Sequence, residues 1–139
     1  MNIHFIGIGG IGLSALARFL KCEGFRGSGS DIASTSITKA LIEEGVHVFI
    51  SHKSENIKSG LDLVIYSAVI KESNSELIEA REKGIETLSR SEALKFILKD
   101  KKVYSICGAH GKSTTTAILS SIINESSAII GAESKEFKS

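Results

Sequence analysis

The stretch that most restricts the fold of this chain is Cys107-Gly108-Ala109-His110-Gly111-Lys112-Ser113-Thr114. An apolar run, Val103 to Cys107, precedes it and reads as a buried strand. After it, Thr115, Ile118, Leu119, Ile122 and Ile123 recur at helical spacing. Strand, glycine loop, Lys-Ser and helix is the layout of a nucleotide phosphate loop. Glycines let backbone N–H groups close around phosphate oxygens, and the helix N-terminus adds positive potential. Lys112 is placed to reach the β and γ phosphates, and Ser113 to offer its hydroxyl to Mg²⁺. The loop is a short form, because Ile106 stands where the general motif has its first glycine. A solvated turn with a surface lysine is the alternative, and the strand and helix context argues against it.

A second glycine turn opens the chain. Asn2 to Ile6 reads as a strand, and Gly7-Ile8-Gly9-Gly10-Ile11-Gly12 supplies Gly-x-Gly-x-x-Gly where it meets a helix. That helix, Ile11 to Cys22, places Gly12, Ala15, Leu16, Phe19 and Leu20 on one face and ends at Gly24. A second strand, Arg26 to Ser30, delivers Asp31 roughly 20 residues after the glycines, the spacing at which an acid meets a ribose hydroxyl. A helix cap or turn is the other reading of Asp31.

Alternation continues. Ile37 to Glu44 reads as a helix closed by Gly45, and Val46 to Ile50 as a third strand. His52 and Asn56 follow it, at the strand edge where open parallel sheets bind ligands, although a solvated loop would look the same. Leu61 to Tyr66 is a fourth strand, followed by Ser67-Ala68-Val69. Ser73-Asn74-Ser75-Glu76 reads as a capping box for a helix through Lys83. Ile85 to Leu88 is a fifth strand, and Ser89-Arg90-Ser91-Glu92 caps a helix carrying Ala93, Leu94, Ile97 and Leu98. Arg90 reads as a surface residue, and His4 and His47, within strands, as structural.

Composition excludes several classes. With 17 basic and 16 acidic residues the chain has no electrostatic footprint for nucleic acid. Ile3 to Leu20 is apolar enough to imitate a signal peptide, but it lacks a basic start, and Arg18 and Lys21 interrupt any membrane span. The two cysteines, Cys22 and Cys107, have no metal-ligand spacing, so a reduced cytosolic (cytoplasmic) setting is the default. Cys107 reads as a buried inert thiol.

The expected architecture is α/β: a Rossmann-like doubly wound parallel sheet of about five strands. The first strand, P-loop and helix of an incomplete second α/β domain follow it. The charged link Lys99 to Lys102 marks the boundary between residues 1–98 and 99–139. After Ile123 only a short apolar run, Ala128 to Ile130, and a polar tail remain, so the chain reads as a fragment.

Gly7 to Gly12, Gly29-Ser30-Asp31, His52 with Asn56, Ser67-Ala68-Val69, Arg90 with Glu92, and the Gly-x-His-Gly-Lys-Ser loop at 108–113 together resemble the Mur ligases. The resemblance runs in order over essentially the whole chain. Ala109 and Ser113 each stand where that family usually has Thr. The resemblance implies an ATP-dependent amide-bond-forming ligase of peptidoglycan precursor synthesis, joining L-alanine to UDP-N-acetylmuramate through an acyl phosphate. It implies that Gly9, Gly10, Ile11, Gly12, Asp31, His52, Ser67 and Ala68 line the uridine-diphosphate site. It further implies that Gly108, Ala109, His110, Gly111, Lys112, Ser113 and Thr114 hold ATP, with Lys112 catalytic and Ser113 facing Mg²⁺. Two other readings stay open. One is the ligase that recycles tripeptide onto UDP-N-acetylmuramate. The other is a non-catalytic NAD-binding or regulatory nucleotide module, for which the loop at 108–113 has no use.

Overall fold

The structure is a computed structural model of the 139-residue chain and describes residues 1–123 and 128–129. Five strands form one parallel sheet: β1 (Asn2–Ile6), β2 (Arg26–Asp31), β3 (His47–Ile50), β4 (Leu63–Tyr66) and β5 (Glu86–Ser89). Their spatial order is β3-β2-β1-β4-β5. The helices are α1 (Ile11–Cys22), α2 (Ser36–Glu43), α3 (Ser75–Glu82), α4 (Arg90–Ile97) and α5 (Lys112–Ile122). The order reverses beside β1, which opens a crevice between the C-terminal ends of β1 and β4.

Alternation along the strands builds two cores. In β1, Ile3 and Phe5 face one layer while His4 and Ile6 face the other; in β4, Leu63 and Ile65 oppose Val64. The larger core adds Leu13, Leu16, Ala17 and Leu20 of α1, Leu41 of α2 and Ala93 of α4. The smaller one adds Ile57 and, from α3, Leu77 and Ala80. Of the expected face of α1, Leu16 and Leu20 are buried and Phe19 packs against the core, while Leu13 and Ala17 join them in place of Gly12 and Ala15. Gly12 and Ala15 are left at the margin of this face, near the sheet's C-terminal edge.

Between Arg26 and Asp31, strand β2 carries only glycine and serine. Gly27 and Gly29 face the larger core, where Phe5 and Ile8 fill the space that side chains would occupy, and Ser28 and Ser30 face the smaller one. The Ser89 capping box of α4 forms as expected: Ser89 N donates to Glu92 Oε2 (2.8 Å) and Glu92 N to Ser89 Oγ (3.4 Å). The Ser89 hydroxyl, which also donates to Glu92 Oε2 (2.6 Å), and then the Ser89 amide hold the exposed Glu92 carboxyl below its ordinary value.

Three expectations are corrected. The cap of α3 is Asn74, whose Oδ1 accepts from Glu76 N (2.9 Å) and Leu77 N (3.2 Å); Glu76 itself turns inward and forms no capping box. Val103 to Cys107 is not a buried strand: no described strand pairs with it, and Val103 and Tyr104 are 51% and 57% exposed. A strand is stable only with ladder partners and a covered face. Cys107 is consequently an exposed free thiol rather than a buried one, as is Cys22. Helix α5 forms, but it buries no residue. Of the apolar run at 128–130, Ile129 packs against the larger core; residue 130 and the tail lie outside the described residues. No described helix is long and apolar enough to cross a membrane.

Candidate functional site

The loops leaving the C-terminal ends of β1, β2 and β4 converge. Gly7 N and Ile8 N both donate to Ser30 O (2.8 and 3.0 Å), which ties the glycine turn to β2. Gly9 N donates to Asp31 Oδ2 (2.8 Å), and Ala33 N to Asp31 Oδ1 (3.3 Å). A Cβ on Gly9 would lie 2.8 Å from Asp31 Oδ2 and 3.0 Å from the Thr38 methyl, so the turn packs too tightly there for any side chain. Ser67 N donates to Ile6 O (3.0 Å), and Ile70 N to Ser67 O (2.9 Å), closing a tight turn beside Gly7. Ala68 is exposed on that turn.

The first turn of α1 is electropositive. Gly10 at its N-cap supplies no side-chain bond, and no acidic residue stands in the turn. Its N–H groups and the helix dipole therefore face outward beside exposed Gly10 and half-exposed Ile11. On the same face of the sheet, α4, which follows edge strand β5, brings Arg90, whose guanidinium lies over Gly12. A backbone N–H cluster with an arginine above it is suited to a diphosphate.

Behind this edge lies a buried polar network. The Glu76 carboxylate, fully buried, accepts from Ser30 Oγ (2.5 Å) and Asn56 Nδ2 (2.6 Å) and bonds His52 Nδ1 (2.9 Å). His4 Nε2 stands 3.6 Å from Glu76 Oε1, and His4 Nδ1 is 2.9 Å from Ser28 Oγ. Asn56 also donates to Ser51 O (2.9 Å), which pins the turn after β3. Burial alone would push the Glu76 carboxyl up. The facing His4 and the bonds from Ser30 and Asn56 outweigh it and hold the carboxyl below its ordinary value.

Of the expected strand, glycine loop and helix, the turn at Gly111 and the helix form, without the strand. Gly111 adopts φ +76° and turns the chain into α5, a left-handed conformation that favours glycine. No acidic residue or side-chain cap occupies the first turn of α5, so its N–H groups suit an anion. Lys112 Nζ folds back to donate to Gly108 O and to Ala109 O (3.3 Å). Among the described residues no group of three His, Cys, Asp or Glu could hold a metal. No hydrogen bond among the described residues ties residues 108–114 to the glycine turn.

With this geometry in place, comparison with known proteins is decisive: residues 2–102 match the Mur ligase family, catalytic domain. The chain belongs to the Mur ligase family. A UDP-N-acetylmuramate–L-alanine ligase of Campylobacter jejuni is 61% identical over 138 residues, 99% of this chain and 32% of that protein. The ligase of that name from Helicobacter pylori is 55% identical over 99% of this chain and 30% of its own length. This Mur ligase chain thus spans about a third of the curated relatives it matches. Among solved structures, the UDP-N-acetylmuramate-alanine ligase of Thermotoga maritima superposes with a TM-score of 0.79 at 35% identity, covering 86% of this chain and 28% of that one. A murein peptide ligase of Psychrobacter arcticus gives 0.77 at 26% identity, covering 86% and 25%.

Within this Mur ligase, the structure brings Gly9, Gly10, Ile11, Gly12, Asp31, Ser67 and Ala68 to one edge and links His52 to it through Ser30. Sequence reasoning missed Glu76; Arg90 is exposed as expected, and only its approach to Gly12 went unforeseen. The signal for Glu76 was there: it lies four residues before buried Ala80 and next to buried Leu77, an acid on an apolar helix face.

Proposed function

We propose that the whole protein joins L-alanine to UDP-N-acetylmuramate with consumption of ATP, and that residues 1–98 carry its uridine-diphosphate site while residues from 99 onward begin its ATP-binding unit. One observation carries the reading: the uncapped first turn of α1, faced by Arg90 and flanked by Asp31 and Ser67 at the point where the strand order reverses. The high identity to alanine ligases, against the lower identity to murein peptide ligases, supports L-alanine over tripeptide as the amine.

The chemistry follows from the substrate. A carboxylate is a poor electrophile until one of its oxygens becomes part of a phosphate leaving group. The substrate carboxylate therefore takes the γ-phosphoryl group of ATP, and the L-alanine amine displaces phosphate to form the amide. Here Gly108 to Thr114 would cradle the ATP phosphates, and Lys112 would leave its loop carbonyls to neutralise charge as the phosphoryl group transfers. The Ser113 hydroxyl fits one position on Mg²⁺, which supplies charge neutralisation between the phosphates. Two free, exposed cysteines suit a reducing, cytoplasmic setting.

Isothermal titration of the chain with UDP, UDP-N-acetylmuramate and NAD tests the first half of this reading. Either uridine compound is expected to bind more tightly than NAD. Tighter NAD binding would replace the ligase assignment of this unit with a dehydrogenase-like one.

A further inference from the structure

The Glu76 network fixes a proton. An ionised carboxylate only accepts hydrogen bonds, so every group within bonding distance of Oε2 must donate to it. Ser30 Oγ and His52 Nδ1 are those groups. Neutral His52 therefore carries its hydrogen on Nδ1 and presents a bare lone pair at Nε2. No described residue bonds that Nε2, and the His52 side chain keeps 15% of its surface open. The backbone that carries the ring is held: Ser75 Oγ donates to His52 O (3.1 Å), and Asn56 Nδ2 to Ser51 O next to it.

The place of this lone pair in the sheet says what it meets. The diphosphate position is at the end of β1, and Asp31 at the end of β2 marks the sugar. His52 follows β3, one strand farther along, about 4.8 Å beyond, in the direction a base would extend. A uracil edge offers an imide N3–H donor between two carbonyls, whereas cytosine has a bare N3 acceptor at the same position.

We propose that Glu76 is a positioning residue that holds His52 as a hydrogen-bond acceptor, so that the site reads the imide N–H of a uracil and rejects a cytosine. The proposal rests on the uridine-diphosphate reading of this edge.

Glu76→Gln is an informative test, because Asn56 dictates how the new amide sits. Asn56 Nδ2 donates to the Oε1 position, so the amide oxygen stays there and the amide nitrogen faces Ser30 and His52. The amide N–H facing Nδ1 favours acceptance there, with the hydrogen on Nε2, over an Nδ1–H that could turn only to Ser30 Oγ (3.0 Å). Imidazole ¹⁵N shifts of the free chain, recorded at about pH 8 to favour neutral rings, are expected to give Nδ1–H for His52 in the native protein and Nε2–H in E76Q. Titration with UDP and CDP is expected to show UDP bound about tenfold more tightly by the native chain, a one-hydrogen-bond difference, with the preference lost or reversed in E76Q. A merely structural role for Glu76 would weaken both nucleotides equally.

A native His52 that is cationic or carries Nε2–H would overturn the proposal, as would an E76Q chain with unchanged tautomer and preference. Absence of UDP binding by the native chain would bring down the uridine reading and the base recognition built on it, while the ¹⁵N shifts would still judge the Glu76–His52 pairing. If E76Q does not fold, His52→Ala must erase the preference for UDP over CDP, and its persistence counts against the proposal.

Discussion

The guanidinium of Arg90 lies so close over Gly12 that a methyl group on that glycine would come within 2.7 Å of Arg90 Cζ. Two positive features thus meet: an arginine and the N-terminus of α1. Arg90 also opens α4, where a helix dipole disfavours a cation, and it makes no ion pair among the described residues. The arrangement is favourable once an anion lies between them.

Arg90→Ala should therefore weaken UDP binding by about tenfold, the worth of one charge-assisted contact. Stability should change by no more than about 0.5 kcal/mol, as for an ordinary surface substitution. Titration with UDP and with uridine separates the contributions: uridine, which lacks phosphate, should bind both proteins alike. An equal loss for uridine would remove Arg90 from the diphosphate.

Two glycines in tight places should behave in opposite ways. At Gly12 the obstacle is the flexible tip of Arg90, which can swing aside, and alanine is the better helix former by up to about 1 kcal/mol. Gly12→Ala should leave the melting temperature unchanged or higher while weakening UDP binding. At Gly29 a Cβ would meet Ile8 Cβ and the carbonyl oxygen of Phe5, both at 2.9 Å, and neither can retreat. Gly29→Ala should destabilise the chain by about 1–3 kcal/mol in urea unfolding, the usual cost of overpacking a core.

Glu76 should make stability fall in acid. Its folded value lies below the ordinary 4.5, so the carboxylate contributes stability that is fully present above that value and is lost as pH falls through the lower, folded one. Glu76→Gln has no such group to titrate. The gap in unfolding free energy between native protein and E76Q should therefore narrow as the pH drops below 4.5. A gap that is constant from neutral pH into strong acid would show that the carboxylate gains nothing on folding.

Lys112→Ala, made in the full-length enzyme, should reduce turnover far more than uridine-nucleotide affinity. Lys112 belongs to the phosphate loop, and the described residues give it no bond to the glycine turn. Its charge matters where the phosphoryl group moves. Phosphate release and UDP titration on the same preparation would check this; parallel losses with an intact fold by circular dichroism would refute the division of labour.

Much of this was legible from residue order. The bounds of β1 and α1 follow from Asn2 to Ile6, the glycine turn and Gly24, which are local signals. The convergence of Gly9, Asp31 and Ser67 follows from the rule that parallel sheets gather their loops at one edge. Glu76 was hidden because its neighbourhood, Ser73 to Glu76, satisfies a local capping pattern while its partners Ser30, His52 and Asn56 lie 20 to 46 residues away. Arg90 was hidden likewise, since its proximity to Gly12 exists only after the sheet has brought α4 beside α1. Val103 to Cys107 has the composition of a strand, but composition supplies no neighbour to pair with.

The bareness of β2 has a further consequence. Gly27, Ser28, Gly29 and Ser30 repeat every two residues, so sliding the strand along β1 by two positions would keep glycine facing one core and serine the other, until Arg26 or Asp31 entered the stretch. Hydrophobic packing within these four residues does little to tell the two alignments apart. What distinguishes them is polar: Ser28 to His4, Ser30 to Glu76, and Asp31 to the Gly9 amide. The groups that shape the nucleotide edge are therefore also the pegs that stop a featureless strand from slipping. A change made there to alter ligand choice would loosen the alignment of the sheet, and selection on binding and selection against misalignment act on the same few atoms.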